Sequence, residues 1–328
     1  MSVPISGTGT AGGFSTAGAF NTNPAASGTF IPTIWSGKLN VKFYSTTVFG
    51  EIANTSYEGD IKNLGDKVII NNVPSITIND YSVGQTLSYE VPAPSKVELN
   101  ISMAKYFGVN VSDIIEYQSQ PKLMDMFTND AAKQMSIAID SDILKMSMDT
   151  GAAANKGATA GAKSGAYNLG SPTAPLTLSA SNIVNTVTAL SSVLDEQNVP
   201  DTDRFLVISP QVRNVLMASD LRQAYLTGDS QSILRNGKIG TIDRFTIYVS
   251  NLLPTAAAGK DFSGANSAGA LARKPILAGH KSAITFASQI AKVESLPNPG
   301  DFGTLVRGLN IYGYNTIKPE ALAIAQYA

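Results

Sequence analysis

Lys96-Val97-Glu98-Leu99-Asn100-Ile101-Ser102 alternates polar and apolar side chains without a break. Successive side chains of a strand point to opposite faces, so this run reads as a half-buried β-strand. Upstream, Lys67-Val68-Ile69-Ile70 and Ser75-Ile76-Thr77-Ile78-Asn79 supply further strand candidates, parted by Val73-Pro74. Asp80-Tyr81-Ser82-Val83-Gly84-Gln85, followed by Pro92 and Pro94, has the chemistry of a turn. The whole stretch from Tyr57 to Ser102 is therefore expected to be a long two-stranded excursion with its tip near Gly84. Two strands alone bury too little surface to be stable in water, so the excursion is expected to lie on another subunit.

Working outward, residues 121–149 read PKLMDMFTNDAAKQMSIAIDSDILKMSMD. Leu123, Phe127, Ala131, Met135, Ala138, Ile139, Ile143 and Met146 follow one another mostly three or four residues apart. Charged Lys122, Asp125, Asp130, Lys133, Asp140 and Asp142 intersperse them, which predicts a long amphipathic helix with Gly151 as its stop. Residues Gly151–Pro175, rich in Gly, Ala and Ser, read as a surface loop. A new unit opens at the capping residue Ser179, with Ile183, Val184, Val187, Leu190 and Leu194 at helical spacing. Arg204-Phe205-Leu206-Val207-Ile208-Ser209-Pro210 reads as a buried strand ended by proline, and a short helix through Val212, Val215 and Leu216 follows. Gly237–Asn251 reads as a turn feeding strands, Thr255–Gly269 as a flexible insert, and Ala283–Ala287 and Gly308–Thr316 as further strands.

Upstream of the excursion, Ile34, Trp35, Leu39, Phe43 and Tyr44 recur at roughly helical spacing behind Pro32. Met1–Gly28 is Gly-, Ser-, Thr- and Ala-rich with too few large apolar residues for a core. It is expected to be a flexible or extended arm that orders only against a partner. It lacks the basic start and apolar run of a signal peptide, and no stretch is long and apolar enough to span a bilayer. The chain reads as soluble and made in the cytoplasm.

Composition narrows the function classes. Of 328 residues, 43% are apolar and only 15% charged, so few charges keep neighbouring copies apart. With 24 basic and 25 acidic side chains the net charge is −1, which argues against phosphate neutralisation along a basic face. The absence of cysteine excludes disulfides, thiolate ligands and cysteine nucleophiles.

No catalytic constellation emerges. Gly7-Thr8-Gly9-Thr10-Ala11-Gly12 matches a dinucleotide fingerprint, but no strand precedes it and no helix follows. Gly157-Ala158-Thr159-Ala160-Gly161-Ala162-Lys163-Ser164 imitates a phosphate loop, yet Ala162 stands where glycine is required and the spacing is short. His280, the only histidine, has no G-x-S-x-G elbow beside it and is expected to serve a turn or a buried hydrogen bond. Asp140 with Asp142, Asp195 with Glu196, and Asp201 with Asp203 could in principle form acid/base pairs but read as solvated surface charge. No cofactor, no metal and no enzymatic activity are expected.

This order of segments resembles the major capsid proteins of tailed phages, whose common fold is the Hong Kong 97-like fold. Tyr57-Glu58-Gly59-Asp60-Ile61 with Gly65-Asp66-Lys67-Val68 is similar to that family's approach to its extended loop. Gly240-Thr241-Ile242-Asp243 through Ser250-Asn251-Leu252-Leu253-Pro254 is similar to an axial-domain strand, and Ala278-Gly279-His280-Lys281-Ser282-Ala283 to the return to the peripheral domain. The resemblance implies an α+β fold with an N-terminal arm (1–30) and a first peripheral part (31–56). It further implies an extended loop (57–102), a peripheral domain (103–178) with its spine helix (121–149), an axial domain (179–279) and a return to the peripheral domain (280–328). Nothing matches a known cross-linking site.

The implied function is a shell protein of the virion that encloses double-stranded DNA and touches it only weakly. Its implied partners are itself, in hexamers and pentamers, together with portal, scaffolding and cement proteins, and no membrane. Phe14 and Phe20 on the arm, and Tyr81, Leu87, Tyr89, Lys96 and Glu98 on the hairpin, are the expected contacts between subunits. An encapsulin-like compartment would share the fold. A β-rich tail component or glycan-binding adhesin is the alternative from another class, against which the long helix argues.

Overall fold

The computed structural model describes residues 44, 45, 47–56, 67–72, 74, 76–87, 89–92, 95–112, 123–219, 240–300 and 302–328. The arm with Phe14 and Phe20, the helix expected from Ile34, and the motif at Tyr57–Gly65 lie outside these residues.

The described residues form four α-helices and ten strands. A single turn, α1 (Phe49–Ile52), precedes the hairpin strands β1 (Lys67–Asn72) and β2 (Ser95–Asn100). They pair antiparallel with Val68 opposite Leu99 and Ile70 opposite Val97. Then come β3 (Met103–Ser112) and α2 (Leu123–Thr150), a helix of 28 residues. The second half holds α3 (Ile183–Glu196), β4 (Arg204–Ile208), α4 (Pro210–Ala218), β5 (Thr241–Ile242) and β6 (Phe245–Val249). Last are β7 (Lys274–His280), β8 (Ile284–Pro297), β9 (Gly303–Thr316) and β10 (Leu322–Tyr327).

Three sheets result. One is the β1–β2 hairpin, one is the antiparallel β3-β9-β8, and one has the order β10-β7-β4-β6-β5 with β4 and β6 parallel. The segment from residue 280 onward contributes to both larger sheets, β8 and β9 to the first and β10 to the second. The fold is α+β, as expected.

Local chemistry explains the elements. The hydroxyl of Ser209 accepts from the Val212 amide at 3.3 Å and Pro210 opens α4 where no amide hydrogen is needed. Asp243 and Arg244 adopt positive φ between β5 and β6, a twist that suits a tight hairpin. All five residues of β4 are buried, as are all six of the edge strand β10, since side chains pack against both faces of their sheet. The main core joins Ile139, Ile143, Leu144 and Met148 of α2 to Val187, Leu190 and Leu194 of α3 and to the five-stranded sheet. A small second core of Leu99, Ile101, Ala287 and Ile311 ties the root of the hairpin to β8 and β9.

Several expectations need correction. Of the strand expected at Ser75–Asn79, the described residues 76–79 form no strand and are exposed. The strand expected through Ser102 breaks after Asn100, and the chain enters another sheet as β3. Helix α3 starts at Ile183, because Ser179 instead opens the turn before it, accepting at its carbonyl from the Asn182 and Ile183 amides. Residues 151–175 are no loose surface loop, for Gly151, Asn155, Ala160, Leu169 and Gly170 are buried. Nor is 255–269 merely a flexible insert: Ala256 bridges Arg273, Lys260 bridges Asn266, and buried Phe262 lies under the Arg273 guanidinium. The amphipathic reading of α2 applies to its second half, whereas Phe127 in its first half is exposed.

Candidate subunit-interface surfaces

The hairpin is anchored at its root and bare beyond it. In β2 the alternation behaves as expected: Leu99 is buried and Val97 half-buried, while Lys96, Glu98 and Asn100 are exposed. Asn315 donates through Nδ2 to the Glu98 carbonyl at 2.8 Å, and Gly313 of β9 lies so near the Asn100 backbone that a β-carbon would collide with it. Farther out, Ile76, Ile78, Val83 and Val91 are exposed, with Val83 at 98% of its free surface. Of the expected contacts, Tyr81, Leu87 and Tyr89 are 65%, 57% and 87% exposed. The tip is a turn in which the Gln85 amide donates to the Ser82 carbonyl at 3.0 Å. So many exposed apolar side chains on one segment mark an interaction site.

A second patch occupies the distal part of the β3-β9-β8 sheet. Tyr106 is 82% exposed beside Leu309, and next to them Arg307 donates from Nε to Glu294 at 2.8 Å, with Lys292 pairing the same carboxylate group. Sequence reading missed this patch, although Val293 and Leu296 carry the same signal of unburied apolar side chains.

Of the carboxylates expected to be solvated, Asp195, Asp201 and Asp203 are exposed as expected and Asp142 and Glu196 half-buried, whereas Asp140 is buried, which corrects the expectation there. Asp140 of α2 is fully buried and its Oδ2 accepts the Val48 amide at 3.0 Å at the start of α1. Its Oδ1 has no partner among the described residues, and burial pushes the carboxyl up to about 6 against the pull of the Val48 and Phe49 amides. Asp142 accepts from Lys105 Nζ at 2.6 Å and from the Tyr312 hydroxyl at 2.8 Å, fastening α2 to β3 and β9. Burial and that carboxylate raise the Tyr312 phenol above its usual range.

Asp195 and Asp201 flank Arg204, whose side chain is wholly buried. Arg204 donates to Asp195 Oδ1 at 2.6 Å, to the Val199 carbonyl at 2.6 Å and to the Pro200 carbonyl at 2.8 Å. Arg244 closes the cluster from outside, 2.9 Å from Asp201. Each charge in this group has an opposite beside it, which offsets the cost of burying the Arg204 guanidinium.

His280 ends β7 in the turn to β8, where its Nδ1 accepts the Ser282 amide at 3.1 Å and lies 2.8 Å from the Ser282 hydroxyl. Burial lowers its pKa, partly offset by Asp203, which fits the turn role expected of it. The loop at Gly157–Ser164 does hold an anion, but an internal one: the Lys163 and Ser164 amides donate to Glu196 at 2.8 and 3.1 Å. Among the described residues no cluster of three His, Asp or Glu is placed to hold a metal ion, and no helix is long and apolar enough to cross a membrane.

Known proteins share this architecture. A structure from Mycobacterium phage Che8 superposes with a TM-score of 0.72 and 26% identity over 90% of this chain and 97% of that one. The capsid of cyanophage P-SCSP1u gives 0.65 and 15% identity over 91% and 93% of the two chains. The mature capsid of bacteriophage PhiM1 gives 0.64 and 16% over 90% and 91%. No curated protein sequence matches. A family model described as "Phage capsid protein" matches residues 96–325, from the decisive strand β2 into β10. The chain belongs to the phage capsid protein family.

Proposed function

We propose that this chain is the major capsid protein of a tailed phage, which assembles with its own copies into the icosahedral head shell around double-stranded DNA. The fold is read as Hong Kong 97-like. On that reading the β1–β2 hairpin is the extended loop, α2 the spine helix, the β3-β9-β8 sheet the peripheral domain and the five-stranded sheet the axial domain. The observation that carries the proposal is the hairpin, anchored by a four-residue core yet bare over residues 76–87 and 89–91. Such a surface is unfavourable on a lone molecule and favourable once a neighbour covers it, at about 25 cal/mol per Å² of apolar area removed from water.

Tyr81, Leu87, Tyr89, Lys96 and Glu98 are then contacts between subunits in hexamers and pentamers, as are Phe14 and Phe20 of the arm. Portal, scaffolding and cement proteins complete the partners, and synthesis takes place in the host cytoplasm. The near-neutral charge leaves only weak, non-specific contact with packaged DNA. The role is structural, without catalysis. The phage family match favours a virion shell over a cargo compartment, and the 28-residue helix is at odds with an all-β adhesin.

Electron microscopy of the purified chain, alone and co-expressed with a scaffolding protein, tests the proposal. Closed hollow particles are expected. A monodisperse lone subunit under both conditions, with residues 76–91 protected from hydrogen exchange, would refute it.

A further inference from the structure

Sheets end in edges, and an unpaired edge is a template for the edge of the next molecule. In the five-stranded sheet one edge is β5, only two residues long. The other is β10, six buried residues whose outward groups belong to Leu322, Ile324 and Gln326, continued by Ala328 just past the strand. The stretch between α2 and α3 contacts all four residues, while the Leu322 amide turns back to the Pro319 carbonyl. The Leu322 carbonyl accepts from Asn155 Nδ2 at 2.9 Å, and Ile324 forms a bridge with Lys156. The Gln326 amide donates to the Leu169 carbonyl at 2.7 Å and the Gln326 carbonyl accepts the Leu176 amide at 2.9 Å. The Ala328 amide donates to the Leu176 carbonyl at 3.0 Å.

The covering segment is not a strand, so it presents no new edge of its own. Gly170, with φ +80, crosses Gln326 so closely that a β-carbon there would collide with the Gln326 carbonyl. Behind it, the Lys163 and Ser164 amides clasp the Glu196 carboxylate, and the Ser164 hydroxyl together with those amides holds its pKa below the usual range. We infer that residues 155–176 are an intramolecular seal on the β10 edge, clasped by Glu196, which stops edge-to-edge pairing with a second copy of this chain. A polypeptide concentrated in one place hundreds at a time needs such a device, because β10 pairing would make an open polymer that no closed symmetry terminates.

The inference rests on the shell reading only for the product of assembly, and wild-type protein run in parallel tests that reading separately. Gly170→Val prises the seal off its centre, and Glu196→Ala opens the clasp at the surface without touching the core. Hydrogen exchange on the full chain should show the Gln326 and Ala328 amides exchanging at least tenfold faster in Gly170→Val, with β4 amides unchanged. Glu196→Ala should show a smaller rise, and Glu196→Gln, which still accepts both amides, should behave as wild type. Under conditions where wild type closes into shells, Gly170→Val should give irregular open polymers.

Normal shells from a variant whose β10 amides are deprotected would overturn the inference. So would unchanged protection in both Gly170→Val and Glu196→Ala. Loss of protection throughout the chain in both variants would also overturn it, since the segment would then be part of the fold rather than a cover on it. Should Gly170→Val not fold, Glu196→Ala carries both readouts.

Discussion

Asp140→Asn should make the isolated subunit more stable at neutral pH than at acid pH relative to wild type. The carboxyl of Asp140 is raised from 3.8 to about 6, chiefly because α2 buries it against α1. A group whose folded pKa lies above its unfolded value binds its proton more tightly in the native state. Its contribution to stability is therefore greatest at low pH and is lost as pH rises through the folded pKa. At about 1.4 kcal/mol per pH unit, the full loss is about 3 kcal/mol, of which about two thirds falls between pH 4.5 and 7.5. Asparagine keeps an oxygen for the Val48 amide and never ionises. Urea unfolding of both proteins at these two pH values isolates the effect, since every other titrating group cancels in the difference. The gain from the substitution should be about 2 kcal/mol larger at pH 7.5 than at pH 4.5. Parallel pH profiles, agreeing within about 0.5 kcal/mol, would show that the buried carboxylate is not held as argued.

Other expectations follow from the same contacts. Arg204→Ala should cost about 3–5 kcal/mol in urea unfolding, because it empties a buried site and breaks its ion pair, whereas half-exposed Arg244→Ala should cost under about 1 kcal/mol. Equal losses would mean that burial does not set the worth of this cluster. Gly313→Val forces a side chain into the Asn100 backbone and should loosen the hairpin root, with overpacking of about 1–3 kcal/mol and faster exchange of the β2 amides. Deleting Gly84–Pro92 should leave a folded subunit, by circular dichroism and melting temperature, that forms no shells by electron microscopy. Normal shells from that deletion would remove the hairpin from the assembly contacts.

How far the sequence could be read depended on whether a segment keeps its own periodicity. β2 is covered on one face only, so Val97 and Leu99 alternate visibly with Lys96 and Glu98. Long α2 repeats its apolar residues over many turns and ends beside Gly151, and Ser209-Pro210 writes the start of α4 in plain chemistry. From these, the α+β class and the bare hairpin with Tyr81, Leu87 and Tyr89 followed without coordinates. β7 and β10 escaped notice because strands buried on both faces lose alternation: Leu322-Ala323-Ile324-Ala325 is equally a helix or a strand by pattern.

Tertiary structure alone decided which polar residues are surface and which are not. Asp140, which is buried, reads in sequence like the exposed Asp195 and Asp201, since charge is a property of one residue and burial a property of its neighbours. Only folding brings α1 over Asp140, Tyr312 to Asp142, and Arg204 between Asp195 and Asp201. The same holds for residues 155–176, whose small polar composition marks a loop but cannot show that β10, some 150 residues later in the chain, supplies the edge it covers. Local pattern determines what a segment is able to become, and long-range contact, whose entropy of closure depends only weakly on separation, determines what it is next to.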